Sequence, residues 1–161
     1  MINKLKTLDQ LKLIVNEARS LGKKIVTTNG CFDIIHVGHI RYLQKAKQLG
    51  DILIVAINSD DSVRAIKGSK RPLFPENERA EILAALECVD YVMIFSEHDP
   101  IRFLTELRPD IHAKGGDYSI EKIVERRALE SIGAELRLLP GAEGKSTTNL
   151  IDIILERYGS E

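Results

Sequence analysis

The sequence predicts an α/β fold: a Rossmann-like, doubly wound parallel sheet of five strands with helices on both faces. Three observations carry this. Short apolar segments alternate with amphipathic ones along the whole chain, the pattern of successive βαβ units. The segment "DILIVAIN", residues 51–58, is apolar throughout its centre, which fits a strand covered on both faces. Glycine, proline and capping residues punctuate the junctions.

The elements follow in order. Thr7 and Gln10 form a capping box, Leu8, Leu11, Ile14, Val15 and Ala18 recur at helical spacing, and Gly22 stops the helix. "KIVTTN" is the first strand and "HIRYLQKAKQLG" a helix closed by Gly50. After the second strand, "SDDSVRAIKG" is a short helix with an aspartate or serine cap, and "SKRPLFP" is a loop. Pro75 opens the helix "ENERAEILAAL". "YVMIF" is the third strand, "DPIRFLTEL" a helix and "IHAK" the fourth strand. "GGDY" leads into one continuous helix, "SIEKIVERRALESIG". "AELRLL" is the fifth strand, and "NLIDIILERYG" is the last helix. There is no linker or repeat, so residues 1–161 are expected to form one domain, with 1–22 as a helix packed on the core. In the order 3-2-1-4-5 the winding reverses between strands 1 and 4. Ligands in such sheets bind beyond the carboxyl ends of the strands at that point. "NGCFD" and "KGGDY" emerge there.

The 161 residues are 43% hydrophobic and 29% charged, with net charge −1. That balance lacks the basic field that gathers nucleic acid. No apolar run nears the ~20 residues of a membrane span, and the N-terminus lacks a signal-peptide core. Cys31 and Cys88 lie far apart and match no metal spacing. These features predict a reduced, cytoplasmic protein without a disulfide and with no nucleic-acid or membrane partner.

"GCFDIIHVGH" carries the least generic residues. Gly30 and Gly38 let backbone approach a ligand, and the start of the following helix offers free N–H groups to an anion. His36 and His39, at i and i+3, share one face of the first helical turn. An imidazole donates a hydrogen bond whether neutral or charged, so the pair suits phosphate oxygens. On four letters alone an ordinary surface or core pair is as good a reading. Lys67, Lys70 and Arg71 form a basic cluster in "KGSKRP", whose commoner fate is a solvated loop. "GAEGKST" is not a P-loop, because the position five before Gly144 is Leu139 rather than glycine. Instead Ser146, Thr147 and Thr148 cap the last helix, whose N-terminus is a second anion site. His98 and His112 receive no role.

"GCFDIIHVGH" resembles the G-x-F-D-x-x-H-x-G-H signature of the cytidylyltransferase-like nucleotidyltransferases, and the likeness runs on through "AKQLGD", "VAINSD", "ALECVDYV", "KGGDY" and "STTNLI". Within that family "TNGCFD", "KGSKRP", "KGGDY" and "STTN" most resemble the heptose 1-phosphate adenylyltransferases of ADP-heptose synthesis, which supply lipopolysaccharide or other cell-surface glycans. In relatives this domain is often fused to a sugar kinase; here it is expected to stand alone. The resemblance implies transfer of AMP from ATP to a heptose 1-phosphate, with Mg2+ accompanying ATP. It implies His36, His39 and Lys67 as catalytic residues. It places Asn29, Gly30, Cys31, Phe32, Gly38, Lys114, Gly115, Gly116, Asp117, Ser146, Thr147 and Thr148 at the nucleotide. It places Asp33, Lys70, Arg71 and Arg79 at the phosphate-bearing substrates, with Asp33 contacting the acceptor or fixing its loop. It implies a homodimer, for which "VMIF" or helix faces offer apolar surface. Two alternatives stay open: a cytidylyltransferase acting on a polyol phosphate such as glycerol 3-phosphate, and a nucleotide-binding sensor without turnover. The first is disfavoured because Gly141 follows Pro140 where the glycerol-3-phosphate branch has arginine.

Overall fold

The computed structural model describes residues 2–116, 119–141 and 144–159. Alternation decides the layers. In β2 (Ile52–Asn58), Leu53, Val55 and Ile57 point to one face and Ile54 and Ala56 to the other, and all five are fully buried. The continuous apolar run therefore reports two cores. On one face, Leu43 and Ala46 of α2 (Val37–Lys47) and Ala80 and Leu83 of α4 (Glu76–Ala84) pack against Val26, Val55 and Ile111. On the other, Leu11, Val15 and Ala18 of α1 (Leu8–Ser20) and Phe103, Leu104 and Leu107 of α5 (Ile101–Leu107) pack against Ile25, Ile54 and Met93.

All strands are parallel, as the alternation of elements predicts, and they take the expected order β3-β2-β1-β4-β5. β1 is Ile25–Gly30, β3 Tyr91–Phe95, β4 Ile111–Gly115 and β5 Glu135–Leu139. Thr28 pairs with Val55 of β2 on one side and Ala113 of β4 on the other. Aspartates take up the first strand amides: Asp110 accepts from Ile25 N–H, Asp90 from Leu53 N–H and Asp51 from Lys24 N–H, each at 2.7 Å. The Thr7–Gln10 capping box opens α1 as expected, with Thr7 N–H donating to Gln10 Oε1 at 2.9 Å. The expected third strand is observed at the sheet edge, with Val92, Met93 and Phe95 internal and Ile94 half-buried.

The expected single helix over 119–133 is two pieces. A 3-10 turn covers Ile120–Lys122, Ile123 is extended (φ −80, ψ 115), and α6 spans Arg126–Ser131. Ile123 and Glu125 are both buried. Two residues apart on a helix they would face different ways, so the break turns both inward. α3 is Asp60–Lys67, capped by Ser59, and α7 is Thr147–Tyr158, capped by Ser146. Among the described residues no helix is long and apolar enough to cross a membrane.

Candidate active site

The carboxyl ends of β1 and β4, where the winding reverses, open into a pocket of about 500 Å3. The chain leaves β1 through Gly30 and Phe32. Phe32 holds φ +47, a left-handed conformation that costs a non-glycine residue about 1 kcal/mol or more. Its buried ring lies against Gly30, where a Cβ would sit 2.9 Å from Phe32 Cε2. Glycine at 30 is thus required by contact, and the turn is locked by the aromatic ring.

His36 is the N-cap of α2, in extended backbone, and His39 is its third helical residue. The two rings stack with centroids 3.8 Å apart. Each Nδ1 accepts a backbone N–H: Gly38 donates to His36 at 3.1 Å, and His36 donates to His39 at 3.3 Å. A neutral ring accepting at Nδ1 carries its proton on Nε2. Burial lowers the pKa of both histidines, helped at His36 by the Lys145 charge and at His39 by His36; His39 falls to about 4. The pair is therefore two neutral Nε2–H donors at a helix N-terminus. His36 Nε2 is buried with no partner among the described residues. An unmet donor costs about 1–3 kcal/mol, which a ligand oxygen would relieve. Gly38 makes the arrangement fit, since a Cβ there would lie 2.9 Å from His36 Nδ1.

Around the pair stand Lys67, Arg71, Lys114 and Lys145, with Thr147 and Thr148 at the start of α7. Thr147 Oγ1 donates to Ile34 O at 3.3 Å, tying α7 to the histidine loop. Ser146 accepts from Asn149 N–H at 2.9 Å, so it caps as expected. Two helix N-termini thus converge on one cavity lined by cations, a cradle for a polyphosphate. The carboxylate in the pocket wall, Asp33, is already engaged: it accepts from Arg71 Nε at 2.5 Å, Leu73 N–H at 2.9 Å and Phe74 N–H at 3.0 Å. Burial pushes its pKa up, but those donors outweigh it and hold the carboxyl below the usual range.

The cytidylyltransferase-like family model matches residues 27–152. The chain belongs to the cytidylyltransferase-like family. It is 54% identical over 98% of its length to the bifunctional protein HldE of Geobacter metallireducens and 53% identical over 97% to that of Pelobacter propionicus. It spans 32% of the length of each. A lipopolysaccharide core biosynthesis protein of Thermoplasma volcanium superposes with a TM-score of 0.62 at 31% identity, over 75% of this chain and 98% of that one.

Most residues that the family resemblance singled out line the one pocket: Asn29, Gly30, Cys31, Phe32, Asp33, His36, Gly38, His39, Lys67, Arg71, Lys114, Gly115, Gly116, Ser146, Thr147 and Thr148. Asp117 lies outside the described residues. Two expectations are corrected. Lys70 is exposed in its loop and does not line the cavity. Arg79 does not line the cavity either. Its side chain is fully buried and donates to Cys31 O at 2.6 Å, Asn58 O at 2.9 Å, Phe74 O at 3.0 Å and Asp60 Oδ1 at 2.9 Å. It staples three loop carbonyls beneath the site. For Asp33, the loop-fixing reading is the one its geometry matches, because its oxygens are spent on the Arg71–Phe74 segment. Cys31 is no poised thiolate: burial raises its pKa against the opposing charges of Lys67, Arg79 and Arg71.

The site residues that the resemblance implies did not include Tyr42, Asn58 and Ile66, which also line the pocket. Tyr42 Oη lies 2.6 Å from Thr28 Oγ1, and burial pushes its pKa to about 12, so it is a neutral wall. Tyr42 and Ile66 had a signal in the apolar stripes of their helices; Asn58, closing an apolar strand, had the strand end itself.

Proposed function

We propose that this chain transfers AMP from ATP to a heptose 1-phosphate, giving ADP-heptose and pyrophosphate. The observation that carries the reading is the stacked His36–His39 pair with both Nδ1 atoms held by backbone and the buried His36 Nε2–H without a partner among the described residues. The bifunctional HldE relatives, matched over nearly the whole of this chain, support the choice of acceptor.

A phosphate oxygen of the sugar attacks the α-phosphorus of ATP, and the bond to the bridging oxygen breaks as pyrophosphate leaves with the electron pair. The second pKa of the acceptor phosphate is about 6, so the nucleophile is ionised at neutral pH and no general base is required. The difficulty is bringing two polyanions together. Neutral histidine donors, Lys67, Lys145 and the N-termini of α2 and α7 offset the charge on the α-phosphate and the departing pyrophosphate. Arg71, braced by Asp33, faces the acceptor side of the same cavity. Asn29, Lys114 and Gly115 form the floor against which the nucleotide lies. Nucleotidyltransferases of this type generally use a metal with the nucleotide. Asp33 is spent, and among the described residues no cluster of three ligating side chains occurs. The donor set suits Mg2+ carried by triphosphate oxygens and water, supplying charge neutralisation when bound.

The enzyme is cytoplasmic and takes no nucleic acid, consistent with its net charge of −1. It pairs as a homodimer through α7, none of whose residues is buried and whose Ile154, Leu155 and Tyr158 are exposed. The test of function is a pyrophosphate-release panel crossing ATP, CTP and GTP with heptose 1-phosphate and glycerol 3-phosphate. Turnover confined to ATP with the heptose is expected. Turnover with CTP and glycerol 3-phosphate, or ATP binding with no release for either acceptor, would replace the reading with one of its two rivals.

A further inference from the structure

Under the pocket floor lies a buried polar cluster that the reaction above does not use. β4 places His112 with its ring wholly buried, Nδ1 2.8 Å from Thr27 Oγ1 and Nε2 3.1 Å from Asn29 Oδ1. Glu125, 2% exposed just before α6, brings Oε1 to 3.6 Å from His112 Nε2 and accepts from Lys114 Nζ at 2.6 Å. Asn29 and Lys114 line the pocket, while His112 and Glu125 lie behind them.

Chemistry leaves this cluster few arrangements. An ionised carboxylate 3.6 Å away favours a proton over a lone pair on the imidazole nitrogen that faces it. Burial works against the ionised carboxylate, yet His112 and Lys114 overcome it and bring Glu125 to about 2. Burial also lowers the pKa of His112, against the pull of Glu125, so the ring is neutral and has a single N–H. With that N–H on Nε2, Nδ1 takes the Thr27 hydroxyl proton. An Nε2–H beside Asn29 needs its carbonyl oxygen. The carboxamide is thereby turned with Oδ1 inward and NH2 outward, where no described residue accepts from it. The other tautomer would flip the amide and present a carbonyl to a phosphate-rich ligand.

We propose that His112 and Glu125 are positioning residues for this site: Glu125 selects the Nε2–H tautomer of His112, His112 fixes the Asn29 carboxamide, and the Asn29 NH2 donates to an oxygen of the bound nucleotide or sugar phosphate. The proposal rests on the transferase reading of the pocket, and its two positioning residues, His112 and Glu125, lie outside the family motifs. The break in the helix over 119–133 has its reason here, since it carries Glu125 inward to His112.

Two measurements test it. In 15N-resolved histidine spectra of the wild-type protein, His112 is expected as the Nε2–H tautomer, and Glu125→Gln is expected to release a mixture; a wild-type Nδ1–H tautomer overturns the proposal. In a double-mutant cycle, His112→Leu is expected to lower kcat/KM about tenfold, the worth of one oriented hydrogen bond, and less than about twofold in an Asn29→Ala background. His112→Gln, which keeps a donor for Asn29, is expected to recover most of the loss and carries the cycle should the leucine variant not fold. Equal losses in both backgrounds, or no loss in a folded variant, overturn the proposal. Whether KM moves for ATP or for the sugar phosphate tells which oxygen Asn29 meets. A wild-type protein that binds ATP without releasing pyrophosphate overturns the transferase reading alone, and the cycle is then decided on ATP affinity.

Discussion

Arg79→Met separates two roles that position in the sequence does not distinguish. The guanidinium is fully buried and donates to Phe74 O, Cys31 O, Asn58 O and Asp60 Oδ1, all at 2.6–3.0 Å. Methionine replaces part of its volume and none of its donors. Removing one partner of a buried ion pair costs about 3–5 kcal/mol. Each carbonyl left without a donor adds about 1–3 kcal/mol, less where water enters. Asp60 keeps 27% of its side-chain exposure, and the losses share one network and do not add, so about 3–5 kcal/mol in total is expected. For a chain of this size each kcal/mol lowers the melting temperature by about 2–4 °C. The midpoint should therefore fall by about 6–20 °C, with urea denaturation showing the same free-energy loss. ATP binding, measured well below the new midpoint, should weaken as well, because the Cys31 carbonyl belongs to the loop that carries the site. A variant that melts within about 2 °C of wild type yet loses turnover would refute the reasoning and return the guanidinium to the phosphates.

His39→Ala should lower kcat by about 10²–10³, the usual consequence of losing one transition-state donor, with the fold retained by circular dichroism; near wild-type turnover would remove that residue from the chemistry. Because His39 is neutral well above about pH 4 and burial also holds His36 below the usual imidazole value, kcat/KM should show no fall as pH rises through 6.5 to 8, as a required imidazolium would impose. Stability should behave differently: between the unfolded histidine value of about 6.5 and the folded His39 value near 4 the unfolded chain binds more protons. That contribution is present at neutral pH and is lost as pH falls through this window, which urea titrations at pH 7 and 4.5 would read. Gly38→Ala should cut turnover severely, because its Cβ would meet His36 Nδ1 and Cε1 at 2.9 Å; unchanged kinetics would mean the ring pair is not held by that contact. Asp33→Asn should loosen the Arg71–Phe74 segment and raise KM for the sugar phosphate more than for ATP, measured by varying each substrate separately.

The legible parts of this molecule are those governed by local rules. Thr7 and Gln10 announce a cap by their spacing, and that box is present. The apolar centre of "DILIVAIN" announces a strand with two covered faces, and its side chains divide between two cores. Gly30, His36, Gly38 and His39 announce a glycine turn running into a helix start with two paired side chains, and all four line one pocket. The helix over 119–133 fails the same reasoning. Its residues have good helical propensity, but Ile123 and Glu125 both find partners inside, and a regular helix cannot turn both inward.

The sequence by itself determined most of the succession of strands and helices and the turn that frames the histidines. Only the tertiary structure decided which charges are spent internally. Arg79 is placed at the phosphate-bearing substrates by the family resemblance until carbonyls 48 and 21 residues away are seen to close around it. His112 reads as an incidental strand residue until Thr27, Asn29 and Glu125 surround it. Burial of a polar group is favourable only when distant segments satisfy its hydrogen bonds, so its role is written in contacts between elements and not in the order of residues along the chain.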